Sequence, residues 1–116
     1  MNGINLDERV SVETINRGKL IYQNQVPGNR MGDWYSLDKT THPTNLGINP
    51  IGTQYGTGLK MTRVTNTYQV QRPTEMLRST AAPALDTWSV RGEPFQTDGG
   101  GIQWFSTKKD IWGKLE

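Results

Sequence analysis

The segment Asp98-Gly99-Gly100-Gly101-Ile102-Gln103-Trp104-Phe105 carries the strongest signals for the fold and for a site. Three consecutive glycines have no Cβ, so the backbone there can take positive φ and approach another surface closely. The residues after them favour a β-strand, because aromatic and β-branched side chains suit a pleated, half-buried surface. Gln103 and Phe105 would share one face of this strand. We interpret it either as the floor of a cleft, with the Gln103 carboxamide between aromatic rings, or as a plain turn into a core strand.

The composition favours one small domain rich in turns. The chain has 116 residues, of which 33% are hydrophobic, with 13 Gly and 6 Pro. Such a composition argues against a helical bundle. We expect a single domain over residues 1–116, with residues 1–15 as a flexible or helical leading segment. Its first residues are typical of the cut end of a larger protein.

Several kinds of chemistry are excluded by residue type. The chain has no cysteine and one histidine, which rules out disulfides, a cysteine nucleophile and Cys- or His-rich metal sites. We therefore predict that it uses no metal and no cofactor. The formal net charge is +2 with no run of like charge, so an anionic partner would have to meet a local patch. No apolar run approaches the ~18 residues of a membrane span, so we expect no membrane insertion by this domain.

The pattern along the chain predicts an α+β domain with a twisted, mainly antiparallel sheet and one or two short helices. A weak helical pattern covers residues 6–15, and Thr107 is placed to cap a last helix in which Ile111 and Leu115 lie four apart. Residues 59–64 and 67–71 are interpreted as a hairpin or two adjacent strands around Thr65-Asn66. The other predicted strands are residues 19–23, 33–37 and 102–105, and residues 75–80 are a strand or one helical turn.

His42 is the first candidate for catalysis, because its side chain alone has an unperturbed pKa near neutrality. A ribonuclease needs a base, an acid and cations for the transition-state phosphorane. His42 could serve as base or acid, Lys39 and Arg30 could hold phosphate, and Thr41 could position the 2′-hydroxyl or the phosphate. The alternative for His42 is an ordinary solvated loop residue.

The aromatic residues offer a second route to a site. Trp34 and Tyr35 follow a basic loop and could stack on a base or a nicotinamide ring, although packing in the core is the alternative. Arg17 is a further candidate for binding phosphate, and Gln103 could orient a carboxamide or a base edge. No glycine-rich segment carries a Walker-type lysine, so a phosphate loop is not expected.

The order of short motifs resembles the C-terminal toxin modules of bacterial polymorphic toxins, including those of contact-dependent growth inhibition proteins. These motifs are Arg17-Gly18, Gly32-Asp33-Trp34-Tyr35-Ser36, Pro43 with Leu46-Gly47-Ile48, and the segment from Gly99 to Phe105. The resemblance implies a module at the end of a large secreted surface protein, acting in the cytoplasm of the target bacterium. It also implies a cognate immunity protein as partner, and leaves open a host activating factor.

Two activities fit this resemblance. Many such modules are similar to compact ribonucleases of the barnase, EndoU, colicin and RelE kinds, which would make tRNA the substrate. The ending Gly99-Gly100-Gly101-Ile102-Gln103-Trp104 is instead similar to that of the tuberculosis necrotizing toxin group of NAD glycohydrolases, and implies that Gln103 takes part in an NAD site. The chain departs from that group after the first predicted strand, where Ile21-Tyr22-Gln23-Asn24 replaces an Asp-Arg-Phe/Tyr-Gly motif.

The sequence-based prediction is therefore a metal-independent ribonuclease toxin, with NAD hydrolysis and a non-catalytic binding module as alternatives. The three predictions differ in geometry. Convergence of His42, Lys39 and Arg30 in an open basic cleft would favour RNA. A pocket with Gln103 and an aromatic ring at its base would favour NAD. The absence of both arrangements would favour a binding module.

Overall fold

The computed structural model describes residues 4, 9–29, 31–108 and 112–115, and these residues form an almost purely β structure. The strands are β1 (Ser11–Ile15), β2 (Leu20–Gln25), β3 (Trp34–Tyr35), β4 (Ile51–Thr53), β5 (Lys60–Thr62), β6 (Val64–Val70), β7 (Thr74–Thr80), β8 (Leu85–Asp86), β9 (Phe95–Gln96), β10 (Ile102–Phe105) and β11 (Trp112–Leu115). Within the described residues the only helical element is a 3-10 turn at Pro43–Leu46. No helix among them is long and apolar enough to cross a membrane.

Two antiparallel sheets lie side by side and form the body of the domain. One has the strand order β1-β7-β10-β3 and the other β11-β6-β2. They join where Tyr22 and Ser36 exchange two backbone hydrogen bonds of 2.8 Å, which sets β2 beside β3. The hairpin β4-β5 and the short pair β8-β9 form two further, separate sheets of two strands each. The seam between β2 and β3 is therefore the line along which the two sheets can share a site.

The core is built from alternating strand residues that face inward. Its buried hydrophobic members are Ile15, Ile21, Tyr35, Tyr68, Val70, Met76 and Trp104. Arg78 lies over the Trp104 ring, 5.9 Å from the ring centroid, and stabilises one flank of the core by a cation–π contact. Tyr35, Tyr68 and Trp104 thus supply much of the packing.

The predicted α+β class is wrong, because the described residues contain strands and no α-helix. Residues 11–15 of the leading segment form β1, which pairs along its whole length with β7. Residues 112–115 of the predicted last helix form β11, which pairs with β6, while residues 109–111 lie outside the described part. Both segments are short and depend on distant partners, so cross-strand pairing decides their conformation over a local helical spacing.

The hairpin predicted around Thr65-Asn66 is also wrong. Both residues lie inside β6, which pairs with β2 along its length. The preceding strand β5 pairs with β4 instead. The strands predicted at 19–23, 33–37 and 102–105 are confirmed in β2, β3 and β10, and residues 75–80 form β7.

The triglycine turn makes the close approach that its sequence predicts. Gly99 has φ of 69° and a Cβ there would lie 2.5 Å from Pro83 N, while a Cβ at Gly101 would lie 2.8 Å from Asn45 O. Backbone hydrogen bonds tie Gly99 N to Thr44 O at 3.0 Å and Gly101 N to Asn45 O at 2.9 Å. The turn therefore binds the 3-10 turn to the start of β10, and this fixes Leu46–Ile48 beside Gln103.

A candidate substrate cleft

A cleft opens at the seam between the two sheets. It consists of two adjoining cavities of about 480 and 520 Å³ that share the residues Gln23, Asn24, Trp34, Ile48 and Trp88. The first, here called the polar lobe, is completed mainly by Gln25, Asn29, Asp33, Thr53, Tyr55, Arg63 and Ser89. The second, here called the apolar lobe, is completed by Leu46, Gly47, Ala84, Leu85 and Gln103. A concave site with apolar walls and a few polar groups is typical of small-molecule binding.

The floor of the apolar lobe is organised by β10 and β3. Trp34 and Phe105 are directly paired across these strands, and their ring centroids lie 4.8 Å apart at a tilt of 59°. Gln103 is on the same face of β10 as Phe105 by strand alternation. Gln103 is buried, and its Nε2 donates to Ser79 Oγ at 3.2 Å. This matches the arrangement of a carboxamide beside aromatic rings that the sequence favours for an NAD pocket.

Gln23 lies on the wall shared by both lobes. Its Oε1 accepts from the Gln25 Nε2 group at 2.5 Å and from Gly32 N at 3.1 Å, while its Nε2 donates to Trp34 O at 2.8 Å. The side chain is buried in spite of its polarity. A polar group with this many fixed partners keeps a single orientation toward the cleft.

The opposite wall is built around a fully buried carboxylate. Asp86 has no exposed surface, and its two oxygens accept from Asn49 N at 2.7 Å, Trp88 N at 3.1 Å, Ser89 N at 2.8 Å and Ser89 Oγ at 2.6 Å. These bonds hold the turn that carries Trp88 against the chain around Asn49. Because a buried carboxylate is costly without such donors, Asp86 and this wall form one unit.

Arg63 connects the buried carboxylate to the polar lobe. Its Nε donates to Asn49 O at 2.9 Å and a terminal nitrogen donates to Ser89 Oγ at 2.8 Å. Burial lowers the pKa of Arg63 below its usual value, and the negative charge of Asp86 acts in the opposite direction. An arginine stays protonated near neutral pH in proteins. Arg63 thus places a positive charge at the polar lobe.

Exposed aromatic side chains form the rim of the cleft. Trp88 is 61% exposed and borders both lobes, and Tyr55 is 75% exposed and borders the polar lobe. Exposed rings at the mouth of a cavity provide flat surfaces for planar ligands. Together with Trp34, they give the cleft aromatic surfaces on its floor and at its entrance.

Those residues predicted for ribonuclease chemistry that the structure describes lie outside the cleft. His42 is exposed as the cap of the 3-10 turn, and Lys39 is exposed in the loop before it. Neither these two nor Thr41 lines the polar or the apolar lobe. Arg17 is exposed in the turn between β1 and β2, away from both lobes. Arg30 lies outside the described residues.

The residues predicted for substrate binding divide into two groups. Trp34 and Gln103 line the cleft. Tyr35 is 1% exposed in the core, where its hydroxyl donates to Gly32 O at 3.3 Å, and it lines neither lobe. Within the described residues, no group of three or more His, Asp or Glu side chains is arranged to hold a metal ion.

No role in a site was predicted from the sequence for Gln23 or Asp86. A signal for Gln23 was present, because strand alternation sets Ile21, Gln23 and Gln25 on one face of β2. Two carboxamides that follow a core residue on an inward face require buried partners or a ligand. Asp86 had no comparable signal, since its hydrogen-bond donors include a distant segment around Asn49.

Comparison with known proteins identifies the family to which this chain belongs. The sequence profile of the bacterial toxin 46 family, Ntox46, matches residues 1–112. The chain belongs to that family. It is also 44% identical over 115 residues to the NAD(P)(+) glycohydrolase toxin Tse6 of Pseudomonas aeruginosa. That match covers 99% of this chain but only 27% of Tse6, so the chain spans about a quarter of its relative's length.

Solved structures agree with the family assignment. The toxin in a structure of Tse6 in complex with Tsi6 is 41% identical, with a TM-score of 0.84 over 100% of this chain and 78% of that one. Rhs1-CT in complex with its cognate immunity protein RhsI1 has a TM-score of 0.61 over 94% of this chain and 79% of that one. At 16% identity, Rhs1-CT shares the fold. The predicted resemblance to polymorphic toxin modules is therefore confirmed.

Proposed function

We propose that this Ntox46 domain hydrolyses the bond between nicotinamide and ribose in NAD(P)+. The observation that carries the proposal is the match of 44% identity, over 99% of the chain, to a toxin named for NAD(P)(+) glycohydrolase activity. The Gln103 carboxamide and the Trp34 ring at the base of a cleft support it independently. The comparisons favour this alternative over the ribonuclease prediction, since the named activity of that relative is on a dinucleotide.

The chemistry of the substrate suits a cleft without a histidine. Nicotinamide leaves as a neutral pyridine, because its ring nitrogen takes the bonding electron pair as the C1′–N bond breaks. The leaving group therefore needs no proton from the enzyme. Water then adds its oxygen to C1′ and releases a proton to solvent, giving ADP-ribose or its 2′-phosphate. The main task of the protein is to hold the dinucleotide while positive charge develops on the ribose.

The cleft offers groups for each part of this task. Trp34 and Trp88 present rings on which a nicotinamide or an adenine can stack. Gln23 and Gln103 present carboxamides that can hydrogen-bond the nicotinamide amide or the ribose hydroxyls. Arg63 is the only lysine or arginine among the described lining residues, and it supplies a positive charge for the pyrophosphate.

We further propose that the toxin acts in the cytoplasm of a target cell and is neutralised by a cognate immunity protein. The structures of Tse6 with Tsi6 and of Rhs1-CT with RhsI1 support a partner of this kind. Co-expression with a candidate immunity protein in a susceptible bacterium, with NAD+ measured after induction, tests the proposal. Neutralisation requires that growth and NAD+ are both preserved by the partner and lost without it.

The direct test of the activity uses the chain made by cell-free synthesis and incubated separately with NAD+, NADP+ and total tRNA. Chromatography of the nucleotide reactions should show equimolar nicotinamide and ADP-ribose or its phosphate, and gel electrophoresis should show intact tRNA. Discrete tRNA fragments with unchanged NAD+ would contradict the proposal.

A further inference from the structure

A row of polar side chains along β2 and β6 ends at the Gln23 carboxamide. Gln25 Nε2 donates to Gln23 Oε1 at 2.5 Å and to Tyr68 Oη at 2.7 Å. Asn66 Nδ2 donates in turn to Gln25 Oε1. The register of the two strands sets Asn66 opposite Gln23 and Tyr68 opposite Ile21, so all four polar side chains lie on one face of this strand pair.

The partners of Gln23 and Gln25 allow one orientation of each carboxamide, because Gly32 N and Trp34 O are backbone groups with fixed roles as donor and acceptor. A carboxamide has two N–H donors and an oxygen with two lone pairs. Gln25 donates its two N–H groups to Gln23 and Tyr68, and its oxygen accepts from Asn66. It therefore presents a donor to Gln23. Gln23 Oε1 then has both lone pairs occupied, by Gln25 and by Gly32 N.

A rotated Gln23 carboxamide would be unfavourable on every side. Its Nε2 would face the N–H groups of Gln25 and Gly32, and its Oε1 would face Trp34 O. Each of these contacts would set like groups together in a buried place, where unsatisfied polar groups are costly. In the observed orientation Trp34 O takes one Nε2 hydrogen. The second Nε2 hydrogen of Gln23 is the donor that can bind a ligand in the cleft.

We propose that Gln25, held by Asn66 and Tyr68, is a positioning residue that makes Gln23 a hydrogen-bond donor to the substrate. The inference rests on the proposed function, because Gln23 borders both lobes of the cleft where the dinucleotide would lie. The group it meets is an oxygen acceptor, such as the nicotinamide carbonyl or a ribose hydroxyl. The two ends of a carboxamide have nearly the same shape, so hydrogen bonding alone can select the end that a substrate meets.

The test is the near-isosteric substitution Gln25→Glu. A carboxylate still accepts from Asn66 and from the Tyr68 hydroxyl, but it cannot donate to Gln23 Oε1. Gln23 Oε1 then faces a carboxylate oxygen while Gly32 N and Trp34 O still oppose rotation of its carboxamide. The repulsion therefore displaces the carboxamide and moves its Nε2 hydrogen from its place in the cleft. We expect kcat/KM for NAD+ to fall roughly 10- to 100-fold at neutral pH. Gln71→Glu adds the same charge at an exposed position outside the cleft, and serves as the matched control with an expected change within about twofold.

The pH dependence of this variant separates positioning from a structural role. The introduced side chain, once protonated, carries an O–H that can donate to Gln23 Oε1, so the ratio of wild-type to variant kcat/KM should shrink toward one as pH falls. The charged and titratable groups facing position 25 are Tyr68 in direct contact and Asp33, Tyr55 and Arg63 in the same lobe. The effect of Tyr68 on the midpoint is measured by repeating the titration in the Gln25→Glu/Tyr68→Phe double variant.

Two results would overturn the proposal. One is a Gln25→Glu variant with the same kcat/KM as Gln71→Glu at every pH. The other is a loss that is constant with pH and matched by a lower melting temperature. If the wild type releases no nicotinamide, the proposed function fails and the orientation is decided by NMR. The Gln23 carboxamide signals should then shift and exchange faster in Gln25→Glu, and unchanged signals would overturn the inference.

Discussion

The loop of residues 38–42 and the cleft at the sheet seam are two polar regions of the same small domain, and they are built in opposite ways. The loop carries the single histidine, and its polar groups face solvent around Asp38, whose pKa is lowered by hydrogen bonds from the Thr40 side chain and backbone. The cleft buries its polar groups instead. Gln23, Gln103 and Asp86 are each held by partners from distant parts of the chain.

Under the proposed function, the site of the reaction is not marked by the single histidine. Reactions that need proton transfer near neutral pH favour histidine. A reaction whose leaving group departs as a neutral base depends more on orientation and on charge stabilisation, which buried amides, a carboxylate and aromatic rings can provide. The comparison predicts that substitutions in the cleft change activity strongly, while those in the loop change it little.

Asp86→Asn should have the largest effect on both stability and activity. The amide cannot accept from all four donors, so buried backbone N–H groups lose their partner and Arg63 loses its countercharge. We expect the free energy of unfolding to fall by about 3 kcal/mol and NAD+ hydrolysis to fall by at least about 100-fold. Urea unfolding and nicotinamide release measure the two. Asp38→Asn is the control, and an equal loss of activity in that exposed variant would remove the distinction between the two regions.

Gly99→Ala should have the next largest effect, by moving the wall of the apolar lobe. The added Cβ meets Pro83 and Ala82 backbone atoms at positive φ, so we expect a loss of about 2 kcal/mol in unfolding free energy and a raised KM. Gly100 also has positive φ, but the space around its Cβ position is open. Gly100→Ala therefore measures the loss of unfolding free energy due to the positive φ alone, about 1 kcal/mol. Equal destabilisation by both variants would show that the close approach at Gly99 contributes nothing.

Trp88→Ala should change binding without changing stability. The ring is largely exposed, so its loss removes little buried area, and thermal unfolding should stay close to that of the wild type. We expect KM for NAD+ to rise by about 10-fold with a smaller change in kcat, since stacking contributes on the order of 1–3 kcal/mol. Trp88→Phe should recover part of the affinity. Val12→Ala, at an exposed residue of β1 outside the cleft, should leave KM unchanged.

His42→Ala should have the smallest effect. The side chain is exposed and forms no side-chain cap of the 3-10 turn, so we expect kcat and KM for NAD+ to remain within about twofold of the wild type. A steady-state assay across the pH range checks this. A loss of more than about tenfold in kcat/KM would show that the loop takes part in the reaction.

The sequence predicts local features of the fold better than its long-range pairings. The strand at Ile102–Phe105 and the close approach of the triglycine turn follow from side-chain alternation and the missing Cβ. The conformations of β1 and β11 depend on β7 and β6, and segments this short carry too weak a local preference to reveal that.

The same limit applies to the candidate site. Gln103 and Trp34 were found because they stand beside strong local motifs. Gln23 and Asp86 are held by hydrogen bonds from Gly32, Asn49 and Ser89. The strand pairing and turns of the fold set these partners in place.

NAD+ and tRNA measured in the same reaction for the wild type, Gln103→Leu and His42→Ala distinguish dinucleotide hydrolysis in the cleft from RNA cleavage at the loop. Gln103→Leu keeps the approximate volume and removes the carboxamide at the base of the apolar lobe. We expect nicotinamide release by the wild type and by His42→Ala, at least about tenfold slower release by Gln103→Leu, and intact tRNA throughout. Fragmentation of tRNA that is lost in His42→Ala, with NAD+ unchanged, would contradict the proposed function.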